Sequence, residues 1–179
     1  PIGHRFDPTP QLPLKTVVRH LRPAFERTEV TIIGHNLKYD MHVMKRIGIE
    51  VKTPYIFDTM IASWLCDENV DKGLKPNVLR IFNHQMEKFN DVVATVPKEI
   101  KKKAGLKANQ KATFDLTMIG DSANYATEDA FFTFMLYLHY LEELEITGMT
   151  KIYYKMYPPF IRILYDMEER GITIDQQAC

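Results

Sequence analysis

Cysteine is scarce: Cys66 and Cys179 are the two in 179 residues. That excludes a disulfide framework and points to a reducing compartment, here the cytoplasm rather than a secreted location. Charge of one sign is lacking as well. Twenty-three Lys and Arg balance 23 Asp and Glu, giving a net charge of 0. No global basic field of the kind many nucleic-acid binders carry is present, so an anionic partner must be held by local patches. No apolar run reaches the roughly 18 residues of a membrane span, and no signal-peptide pattern opens the chain. A Gly-rich phosphate loop, a Cys-x-x-Cys pair and a Gly-x-Ser-x-Gly elbow are all absent, which removes the common nucleotide, zinc and serine-hydrolase signatures. His35 and His42 do not match a zinc-ligand spacing.

What is present is an ordinary globular composition, 45% hydrophobic and 26% charged, long enough for one domain with a core. The chain opens at Pro1-Ile-Gly without an initiator Met and reads as a fragment. Residues 1–14 are Pro-rich and predict no regular element. A helix is expected over 14–27, bent or restarted by Pro23. Strand 30–33, helix 38–48 stopped by Gly48, strand 55–57 and a helix over 60–65 capped by Asp58 or Thr59 follow. That alternation is the rhythm of an α/β domain with a mostly parallel sheet. Residues 67–75 read as a polar loop, 76–86 and 88–95 as helices, and 97–112 as a basic loop. A short helix near 113–120 precedes two long ones, over 122–145 and 149–170, the second distorted by Pro158 and Pro159. Residues 171–175 read as a turn into a strand. Two strands make a marginal sheet, so further strands are expected upstream of Pro1, or Ile2 and its neighbours are the tail of one.

Two segments carry the chemistry. Asn36-Leu-Lys-Tyr-Asp40 follows the first strand, at the carboxyl edge where open α/β sheets bind ligands. Either Asp40 or Asn36 simply caps the helix that follows, or Asp40 is a metal ligand. Tyr125-Ala-Thr-Glu-Asp129 lies in the longest helix, whose Tyr125 and Asp129 share one face. Phe131, Phe132, Phe134, Met135, Leu136 and Leu138 make that helix apolar on most sides, so it is expected to be largely buried. A carboxylate there is costly unless paired or metal-bound; the other reading is an exposed acid beside Glu128. Phosphodiester hydrolysis with two divalent ions needs carboxylates around ions roughly 3.5–4 Å apart, and two aspartates alone do not fill two sites. Lys98, Lys101, Lys102, Lys103, Lys107 and Lys111 either guide a phosphate backbone or form a solvated loop.

These segments, with Phe57-Asp58-Thr59-Met60 and Met167-Glu-Glu-Arg-Gly-Ile-Thr-Ile-Asp175, resemble the 3′–5′ proofreading exonuclease domain of family A (DNA polymerase I-like) DNA polymerases. Their order matches along nearly the whole chain. The resemblance implies an RNase H-like (DnaQ-like) α/β fold whose first strands are missing here. It also implies an exonuclease domain over 1–148, a junction to a polymerase region over 149–179, and a cytoplasmic or nucleoid-associated protein. By this resemblance Asp129 would ligate one Mg²⁺ or Mn²⁺ ion and Asp40 a second. Tyr125 would orient the attacking water. Asn36, Tyr39 and Phe89 would touch the 3′ end of single-stranded DNA. Phe89 is otherwise a core aromatic. The family's Asp-x-Glu on the first strand is absent, which leaves room for a catalytically inactive nucleic-acid-binding or structural module. An RNA-trimming exonuclease of the same carboxylate superfamily is the further alternative.

Overall fold

The computed structural model describes residues 2–107 and 109–173. The chain divides into two compact units, Leu21–Val70 with Tyr137–Cys179 and Pro1–His20 with Asp71–Leu136.

In the first of these, β1 (Ile32–Gly34) and β2 (Ile56–Asp58) pair in parallel, with Ile32 opposite Ile56 and Gly34 opposite Asp58. They are the two strands found among the described residues. β1 begins later than its β-branched run, because the Val30 carbonyl is taken by the Thr53 hydroxyl at 2.6 Å instead of a ladder partner. Helices α2 (Leu37–Arg46) and α3 (Thr59–Cys66) each leave the end of a strand. Gly34 permits the first exit: a Cβ there would lie 2.6 Å from Leu37 Cδ1. Gly48, at φ 83°, ends α2 in the left-handed conformation that glycine adopts without a Cβ penalty.

Helix α8 (Thr150–Arg170) packs on α2 and α3 and runs through Pro158 and Pro159 without ending. Leu37, Met41, Val51, Ile56, Ile161 and Tyr165 form the core of this unit. Tyr153 is fully buried and its hydroxyl bonds the backbone of Asp58, accepting from the amide at 2.7 Å and donating to the carbonyl at 3.2 Å. Arg162 donates to the carbonyls of Val51 and Thr53, fixing the entry to β2. On the solvent side, Glu168 and Glu169 of α8 pair with Lys38, His42 and Lys45 of α2. The strand predicted over 171–175 runs into residues outside those described; Gly171–Thr173 are irregular.

The other unit holds α4 (Leu74–Phe82), α5 (Phe89–Ala94), α6 (Lys98–Lys103) and a 3₁₀ turn at Phe114–Leu116. Val96, Ala112 and Leu116 form its small core with Phe6, Ile100 and Leu106. The Pro-rich start is irregular yet docked. His4 Nδ1 lies 2.9 Å from the Thr117 carbonyl, and Asp7 accepts the Ile119 amide at 2.6 Å. Asp7 thereby serves the N-terminus of α7 (Ile119–Ile146), where a carboxylate also meets the positive end of the helix dipole. Its carboxyl is held below the ordinary range, chiefly by that amide.

Two expectations need correction here. The basic stretch 97–112 is not all loop: Lys98–Lys103 is helical, started by Pro97, with Glu99 in its first turn and lysines in its last, as the helix dipole favours. Nor is α7 largely buried. Phe131, Phe134 and Leu138 are about half exposed, and burial is confined to Ser122, Leu136, Tyr140 and Leu144. The apolar residues girdle the helix, but packing covers a single stripe of it. α1 (Leu14–Phe25) contains Pro23 and ends two residues later.

Candidate active site

The strand ends build the first group. Asn36 takes φ 61°, a left-handed conformation that Asn tolerates better than most residues. It stands at the N-cap of α2, but its side chain makes no capping bond. Asp58 does that work. Its carboxylate accepts from Asn36 N at 3.0 Å, Leu37 N at 2.8 Å and Met60 N at 3.0 Å. One buried side chain thus caps both α2 and α3, where sequence alone assigned it, at most, to α3.

Asp40 lies in the first turn of α2, so of the two residues read as possible caps it is Asn36 that holds the N-cap position. Tyr39 is well exposed, at 66%. The Asp40 carboxyl is raised above the ordinary carboxylate value of 3.8, first by the protein packed around it and then by the charge of Asp58. With its folded value above its unfolded one, the native state holds the Asp40 proton more tightly. Stability therefore falls as pH rises from 3.8 through the raised value, and the penalty persists above it. Asp40→Asn is expected to raise the melting temperature at about pH 7 and to leave it unchanged at about pH 3. An equal gain at both pH values would show that ionisation is not the cause.

The second group lies in the other unit, on α7, α4 and α5. Tyr125 and Asp129 stand one turn apart on α7. Lys75, from the first turn of α4, places its ammonium 3.4 Å from Asp129 Oδ1 and 4.3 Å from the centre of the Tyr125 ring. It also donates to the Glu87 carbonyl at 2.5 Å. The Tyr125 phenol is pushed up to about 12 by burial, then by the charge of Asp129 and the hydrogen bond to it. Phe89 is half exposed. It stacks on Phe114 at 5.8 Å and meets Tyr125 edge-on at 6.4 Å. Phe89 is therefore neither a core aromatic nor a lone surface ring. Glu128, beside Asp129, is occupied elsewhere: it bonds His84 Nε2 at 2.8 Å and accepts the Glu87 amide at 3.2 Å. The His84 bond leads the effects that hold its carboxyl below the ordinary range.

The structure therefore gathers Tyr125, Asp129 and Phe89 in one unit, and Asn36, Tyr39 and Asp40 in the other. Lys75 and Phe114 were missed from sequence, as was the second half of the role of Asp58, its bonds to the first amides of α2. A single lysine or phenylalanine carries no local signal of such a role; tertiary placement alone reveals it. Among the described residues no three His, Cys, Asp or Glu side chains come together to hold a metal ion. Asp40 and Asp129 are carboxylates, the hard oxygen donors that divalent ions take, and Asp129 is paired with Lys75 in this structure.

The family model described as 3′–5′ exonuclease matches residues 7–145. DNA polymerase I of Rhizobium leguminosarum is 33% identical over 168 residues, covering 93% of this chain and 15% of that protein. DNA polymerase I of Chloroflexus aurantiacus is 31% identical over 178 residues, 99% of this chain and 17% of that protein. The DNA polymerase of Escherichia phage T5 is 27% identical over 172 residues, 89% of this chain and 19% of that one. The chain thus spans less than a fifth of the length of these relatives. The aspartate that follows β1, the Tyr125–Asp129 pair and Phe89 all fall inside the matched span, and the chain belongs to the 3′–5′ exonuclease family, as its resemblance to family A DNA polymerases implied.

Proposed function

We propose that this chain is the proofreading exonuclease region of a DNA polymerase I-type protein, of RNase H-like fold, acting on the 3′ end of single-stranded DNA. Residues 149–179 would lead into a polymerase region. The observation that carries the reading is the Tyr125–Asp129 pair on one face of α7 with the exposed Phe89 ring beside it. Asp129 and Asp40 would each hold a divalent ion, Mg²⁺ or Mn²⁺. Such ions, when bound, activate water and neutralise charge on the leaving oxygen. Tyr125 keeps its proton at neutral pH, since its phenol is pushed up to about 12. It therefore works as a hydrogen-bonding group that orients water, not as a base. Phe89 offers its exposed face to a terminal base, a contact that tolerates any sequence, as proofreading requires. Asn36 and Tyr39 offer an amide and a phenol to the preceding nucleotides.

Release of nucleotide from 3′-labelled single-stranded DNA, with Mn²⁺ or with EDTA, tests the activity. Release that requires the ion supports the reading. Preference for a matched RNA would favour an RNA-trimming exonuclease. No release from the folded chain would favour an inactive nucleic-acid-binding module, a second reading that the lack of an Asp-x-Glu before Asp40 allows. Phe89→Ala is expected to weaken single-strand binding by about 1–3 kcal/mol and duplex binding by less, measured by fluorescence anisotropy. Equal losses on both would assign Phe89 to packing.

A further inference from the structure

Lys75 is not an ordinary surface lysine. Its ammonium is fixed from three sides: by the Asp129 carboxylate at 3.4 Å, by the Glu87 carbonyl at 2.5 Å and by the face of Tyr125 at 4.3 Å. Its side chain is only 27% exposed and that of Asp129 only 32%. Lysine normally keeps its charge in water at the end of a flexible stem, and ordering that stem costs side-chain entropy. Here the stem is spent on bringing a positive charge to the carboxylate that the proposed function assigns to a metal ion. An ammonium that close shares the electrostatic role of a divalent ion and opposes its arrival, since like charges beside one carboxylate repel.

We propose that Lys75 is a resident competitor for the divalent ion at Asp129, keeping that carboxylate paired and aimed until an ion displaces the ammonium, and so setting the ion concentration at which the site fills. The proposal rests on Asp129 being a metal ligand. A purely structural alternative exists on the same geometry: Lys75 as a tether for the Glu87 carbonyl, just before Phe89. The two part company when charge is removed but a hydrogen-bond donor is kept.

The test is Mn²⁺ binding to this chain without substrate, read as loss of the free-ion electron paramagnetic resonance signal. Circular dichroism melts confirm that each variant is folded. Lys75→Gln keeps a donor for Glu87 and Lys75→Met keeps only the apolar stem. Both are expected to bind Mn²⁺ roughly two- to five-fold more tightly, the range that a partly exposed ion pair spans. Lys75→Arg is expected to bind as the parent does, and Asp129→Asn to lose the site. Unchanged or weaker binding by Lys75→Gln, flat titrations of both proteins included, overturns the competitor role; loss of binding in Asp129→Asn alongside it would leave the ligand assignment standing. Unchanged binding by Asp129→Asn overturns the ligand assignment and the competitor role together.

Discussion

Asp129→Ala is expected to reduce ion-dependent 3′ nucleotide release by roughly a hundred- to a thousand-fold, the scale on which one fixed electrostatic contact to a reacting centre acts. The assay belongs in a longer chain that also carries an Asp-x-Glu strand, where the acidic set that the family resemblance implies is complete. The loss has two sources. Asp129 is the proposed ligand, and it is also the charge that pairs with Lys75 and helps hold the Tyr125 proton. Its removal thus disturbs the ion, the cation and the phenol together. Asp129→Asn separates these, because it keeps the shape and a carbonyl oxygen but not the charge. Turnover retained in both variants would show that Asp129 is no ligand. Adding EDTA to the parent should bring its release down to that of Asp129→Ala.

Asp58→Ala is expected to be the most damaging change to stability, at about 2–4 kcal/mol in urea unfolding. Three backbone amides, those of Asn36, Leu37 and Met60, donate to this one carboxylate, which is 2% exposed. Alanine would leave them without that acceptor where water reaches poorly, and a buried donor without a partner costs more than the bond it replaces. The Tyr153 hydroxyl bonds the Asp58 backbone and cannot take over the task. Asp58→Asn keeps one carbonyl acceptor and should lose less. A cost below that of an ordinary surface cap, roughly 1 kcal/mol, would show that water replaces the carboxylate.

The strand–helix alternation between Val30 and Cys66 was legible because each step has a local cause. A β-branched run leads into β1, the aromatic and aliphatic Tyr55-Ile56-Phe57 makes β2, Asp58 starts α3 and Gly48 ends α2. The two-residue displacement of β1 was not legible, because it depends on Thr53 reaching the Val30 carbonyl from a distant part of the chain. The same holds for α6. Lysine is a good helix former, but a Lys-rich run bounded by Pro97 and Gly105 satisfies a loop and a short helix equally well. In α7 the period was read correctly and the burial was not. An all-round apolar helix announces that it can be covered, and says nothing of which face is. Asp40, Tyr125 and Asp129 are proposed for the site because the segments that hold them resemble the motifs of a family. Lys75 follows none, and its meaning lies wholly in what it faces.

The left-handed backbone at Asn36 binds two demands to one position. Few side chains are comfortable at φ 61°, so the turn from β1 into α2 already restricts this residue to Asn, Gly or Asp. Reading the strand with a neutral amide, as proposed, removes Gly, which has nothing to offer, and Asp, which would repel phosphate. A single amino acid then satisfies both architecture and recognition, and drift at this position is closed from two directions at once.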